Sequence, residues 1–330
     1  MPLNSKLGLF GLAKQTVKGT QVTPPLYSHG LSSGGLAHDR SLAPQALSSG
    51  ARTTGQTILS SQSPGATVQS PAYVAALGLY LLAAMGVDTV TGTTPAYTHT
   101  FSHGALPWMS LYQSLGGSEY MSVYDAKCSE LKLSWSVDEP VLIDTTWVAL
   151  SEKPAQATFT ATTPLDQSAA FLSPIGGTFQ LDASTGTPVT ATVLSGDMTV
   201  TNTMDVETAS GSTMPAFAQE GDITAACSLV VVPDDLGMWQ RAITGVAARG
   251  GTTPAESPIY GSFAVTLKEN LQPTNYAILA TTGAKVMWDC AYPSPSTAGA
   301  AVQLSWAGIP VASAGGTPLA FALTNTVATY

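Results

Sequence analysis

From about Tyr97 onward, apolar and polar residues alternate with a period of two. That pattern restricts the chain to half-buried β-strands. Leu131, Leu133, Trp135 and Val137 alternate with Glu130, Lys132, Ser134 and Ser136. Asp138-Glu139-Pro140 then supplies a turn, and "VLIDTTWVAL" follows as a hairpin partner. Met198, Val200, Asn202, Met204 and Val206 make a second face, and Ile223, Ala225, Cys227, Leu229 and Val231 a third. Further strands read at Tyr260–Leu267, Lys285–Ala291, Ala301–Trp306 and Leu319–Thr326. Many strands separated by turn signals make an antiparallel β-sandwich or barrel.

Two stretches depart from this period. "SPAYVAALGLYLLAAMGVD" predicts a helix over 71–86, with Ser70 as cap, Pro71 in the first turn and Gly86 as terminator. About 15 helical residues span roughly 22 Å, short of a hydrocarbon core of about 30 Å. The segment is apolar around most of its circumference, so it packs inside the protein, with Val74, Leu77, Leu81 and Leu82 on the β core. "DDLGMWQRAITGVA" predicts a second helix, with acids at its start.

The N-terminal third reads differently. Residues 1–25 are expected to form an arm, 26–70 a long polar loop, and 71–330 a single β-rich domain. The first 70 residues are rich in Gly, Ser, Thr and Pro and carry little periodicity. Charge divides at the same place. Residues 1–87 hold five basic side chains against Asp39, a net of +4; the remainder holds seven basic and twenty acidic ones, a net of −13.

Only 10% of the 330 residues are charged, where about 25% is ordinary. A chain so poor in surface charge is expected to hide much of its surface in an assembly. A net charge of −9 opposes tight binding of duplex DNA, which needs basic residues to neutralise phosphates. Cys128, Cys227 and Cys290 lie in apolar runs without C-x-x-C spacing, which predicts buried reduced thiols. The first twenty residues show no long apolar core and no signal-cleavage pattern.

His99 and His103 offer the sharpest hint of chemistry, because paired histidines often hold zinc. On a strand their Cα atoms stand about 13 Å apart, and no Cys, Asp or Glu falls between Asp88 and Glu119 to complete a site. They read as partly exposed strand residues. No nucleophile elbow, phosphate loop or H-E-x-x-H motif is present. No catalytic, cofactor-binding or metal-binding residue is assigned, and the chain is expected not to be an enzyme.

Three phrases carry a family resemblance. "GLAKQTVKGTQVTP" resembles the opening of major tail tube proteins of long-tailed, siphovirus-like bacteriophages, through Gly11, Ala13, Lys14, Gln15, Thr16, Gly19 and Thr20. "YTHTFSHGALPWMSLYQSLGG" is similar to that family's His-Thr-Phe phrase and following strand. "YDAKCSELKLSWSVDEPVLIDTTWVAL" is similar to its Asp-Ala-Lys phrase and hairpin. The resemblance implies a mainly β tail-tube fold: a sandwich or barrel with one or two short flanking helices and an extended N-terminal arm. It implies a virion tail protein made in the bacterial host cytoplasm. Its subunits would stack as rings, usually of six, into a hollow tube that passes double-stranded DNA. Partners would be further copies of itself and the tape measure, tail terminator and tail tip proteins. A capsid decoration protein and a β-sandwich surface adhesin are the alternatives. Lys6, Leu9, Phe10, Lys14 and Lys18 are the candidates for an arm that links one subunit to the next, the apolar pair as anchors and the lysines against the acidic body.

Overall fold

The computed structural model describes all residues except 1–7, 46–55, 94–95, 117–118, 156–158, 167, 183–188, 191, 234–235, 247–250, 271–277, 293–301 and 313–315. The strands are β1 (Leu9–Lys14), β2 (Tyr27–Gly30), β3 (Ser33–Gln45), β4 (Gln56–Pro71), β5 (Gly86–Thr93), β6 (Ala96–His103), β7 (Met109–Ser114), β8 (Tyr120–Ser136), β9 (Leu142–Lys153), β10 (Thr163–Pro164), β11 (Leu172–Asp182), β12 (Val189–Thr190), β13 (Thr192–Thr208), β14 (Pro215–Val232), β15 (Tyr260–Glu269), β16 (Ile278–Cys290), β17 (Leu304–Pro310) and β18 (Ala320–Asn325). Two helices accompany them, α1 (Val74–Met85) and α2 (Gly237–Thr244). The molecule is mainly β, with mostly antiparallel pairing.

β8 is the strand from which the sheet branches. One edge pairs with β9 from Ser122↔Lys153 to Ser134↔Leu142. The other edge pairs with β7 near its start, Ser114↔Tyr120 to Met109↔Ala126, and with β13 near its end, Thr201↔Glu130 to Ser195↔Ser136. One run therefore continues β7–β1–β2, and the opposite run continues β9–β4–β3. The β13 branch continues through β14, β17 and β16 to β15 and β11. β16 changes neighbours as well, and its first half pairs with β18, which leads to β6 and β5.

α1 lies against β8, β6, β5 and β18. Every residue in it except Ala75 is buried, and Leu79 and Leu81 are fully enclosed. Its last turn would leave carbonyls without partners. Asn202 answers one of them, donating its amide to the Ala84 carbonyl at 2.9 Å and to the Cys128 carbonyl at 3.1 Å. Gly86 ends the helix at φ 96°, its N–H donating to the Leu82 carbonyl. The helix begins later than the sequence suggests. Gln69, Ser70 and Pro71 pair with Asp144, Ile143 and Leu142, so the strand claims the residues expected to cap it.

Two other expectations are corrected. The segment 26–70, expected as a loop, forms β2 and a long hairpin of β3 and β4, in register from Ser33↔Gln69 to Gln45↔Gln56. Both faces of β3 are mainly exposed, so no alternating apolar signal marks it. Ala66 and Val68 of β4 are its buried apolar anchors. Within 1–25, Leu9–Lys14 is not an arm. It is an interior strand between β2 and β7, and Phe10 and Leu12 are 0% exposed. Six residues are too few to display a period, although three of them are large and apolar.

Candidate functional site

The phrases that carry the family resemblance meet in space. Gln15 is buried just after β1, and its Nε2 donates to the Thr20 carbonyl at 2.8 Å and to Asp125 Oδ1 at 3.1 Å. In return, the Asp125 N–H donates to Gln15 Oε1 at 2.9 Å. The same carboxylate oxygen accepts the Gly19 N–H at 2.7 Å. Asp125 has φ 52° and is the one non-glycine residue with positive φ among the described residues. A short polar side chain tolerates that conformation best when its oxygen holds local donors. Gly19, at φ 84°, turns the chain back toward it. The "KQTVKGT" phrase and the "YDAK" phrase are thus two halves of one hydrogen-bonded knot, although 110 residues separate Gln15 from Asp125.

A second cluster lies alongside. Lys127 Nζ pairs with Glu220 at 2.5 Å and sits 4.3 Å from the centre of the Trp108 ring. Lys18 Nζ approaches the same ring at 5.2 Å and donates to the Ala216 carbonyl at 3.3 Å. Glu220 also accepts the Leu106 N–H at 3.1 Å. Gln15, Trp108, Asp125, Lys127 and Glu220 were missed as site residues. Quoted motifs contained most of them, but nothing local shows that a strand and a distant loop share one carboxylate.

The expected linking residues are divided by the structure. Lys6 lies outside the described residues. Phe10 faces the chain's own core, whereas Leu9 and Lys14 are exposed. Lys18 is exposed but engaged with Trp108 and Ala216. On α1, Val74, Leu77, Leu81 and Leu82 are all buried.

The histidines differ from their reading as a similar pair. His103 is exposed, but His99 is fully buried. His99 Nε2 donates to the Val327 carbonyl at 2.8 Å, and Nδ1 faces Asp88 Oδ2 at 2.8 Å. Both ring nitrogens thus have an oxygen partner within hydrogen-bond distance. Tyr330 packs on the same imidazole, its ring centre 4.8 Å away. No group of three or more metal-ligating side chains occurs among the described residues. His29 is also buried, bonded to the Tyr80 hydroxyl at 2.8 Å, and burial pushes its pKa down to about 4. The three cysteines are free and buried. Burial raises their thiol pKa values, to about 12 for Cys227 and about 11 for Cys290, which leaves them poor nucleophiles.

Unpaired strand edges lie at the sheet margins. Among the described residues, β3 pairs only with β4 and β5 only with β6, so each presents an open edge. Val87 and Val90 are exposed on β5. An open edge is a template for another strand. No helix of the described structure is long and apolar enough to cross a membrane.

Comparison with known proteins completes the assignment. No curated protein matches the chain. The family model described as phage tail tube protein matches residues 5–268, a span that includes the Gln15–Asp125 knot, α1 and the branching strand. The chain belongs to the phage tail tube protein family and is a structural component of the virion tail.

Proposed function

We propose that this protein is the repeating subunit of a hollow tail tube, assembled as stacked rings, usually of six, that conduct double-stranded DNA during ejection. The observation that carries the reading is the pair of open strand edges on a body with scarce charge. Edge-to-edge joining would remove the exposed hydrogen-bonding groups, and closure would leave no template for aggregation. The tape measure, terminator and tip proteins would meet the tube along its bore and at its two ends. Synthesis in the host cytoplasm suits a chain with three free cysteines.

The acid excess suits passage of DNA. Residues 88–330 carry the net of −13, and carboxylates facing a bore would repel phosphates. A sliding duplex then meets no well created by counterion release. Electron microscopy of the purified protein at rising concentration tests the reading. Rings or tubes are expected. Persistent monomers, or a bore lined mainly by Lys and Arg in a tail structure, would overturn it.

A further inference from the structure

We draw no further inference here: the strongest candidate, the cavity beside the open edge of β5 lined by Leu82, Val87, Asp88, Val90 and Tyr330, carries nothing, because Lys14 shares its lining with Asp88, so that charge selects no occupant, and nothing in the structure shows what covers it.

Discussion

Asp125 shows how one side chain can hold two distant segments. Its carboxylate accepts from Gln15 and Gly19 while its own backbone sits at φ 52°. Asp125→Ala would lose the acceptor and leave a side chain ill suited to that conformation. We expect a loss of about 1–3 kcal/mol in denaturant unfolding, with Asp125→Asn milder because it keeps an acceptor oxygen and tolerates positive φ. Equal stability of the alanine variant would show that the knot is incidental. His29 makes a prediction in pH. Its folded pKa lies near 4, against 6.5 unperturbed, because burial disfavours the imidazolium. Above pH 6.5 neither state is protonated and there is no penalty. As pH falls through the interval from 6.5 to 4, the unfolded chain takes up the proton first, so the folded state loses stability by up to roughly 3 kcal/mol. Below pH 4 the penalty stays constant. His29→Gln should flatten this slope relative to wild type in unfolding midpoints measured at pH 7 and 4.5. An unchanged slope would remove His29 as its source.

At the scale of elements, α1 and β1 matter most because both are enclosed. Leu81 is fully buried, so Leu81→Ala should cost about 2–5 kcal/mol through lost contacts and a residual cavity. Leu81→Asp should fail to fold, since its charge would find no partner. A folded, normally assembling Leu81→Asp protein would contradict the enclosure of α1. β1 changes what truncation should do. Its removal would leave β2 and β7 without their shared neighbour and open the core at Phe10. Deleting residues 1–7 should leave a cooperative thermal transition, whereas deleting 1–20 should abolish it. A folded 1–20 deletion would mean that β1 is dispensable and would return the segment to the role of a linking arm.

For the whole molecule, the sparse charge and its uneven division are the governing facts. The free subunit should not retain duplex DNA in a gel-shift experiment at low salt, because few cations are available for phosphates. Lys127 and Lys132 are already paired with Glu220 and Asp197. Tight binding that weakens steeply with salt would contradict passage without sticking. The assembled tube should behave likewise, since stacking copies multiplies the acid excess of residues 88–330.

The sequence alone determined the material of this protein. Wherever a strand has one wet face, as from Leu131 to Trp135, the alternation is visible because each residue answers to one side of the sheet. α1 was legible for the opposite reason: a short run that is apolar all round has nowhere to go but inside. The family phrases were legible as words. What they do was decided only by tertiary structure, because the bond between Gln15 and Asp125 joins residues that no local pattern connects. The β3–β4 hairpin was hidden because backbone pairing holds it and both faces of β3 are largely wet, so hydrophobicity carries no period. Phe10 was misplaced because a six-residue strand acquires its burial from the neighbours on either side, β2 and β7. His99 and His103 look equivalent in the sequence, and only the approach of Asp88 and Val327 makes one of them part of the core.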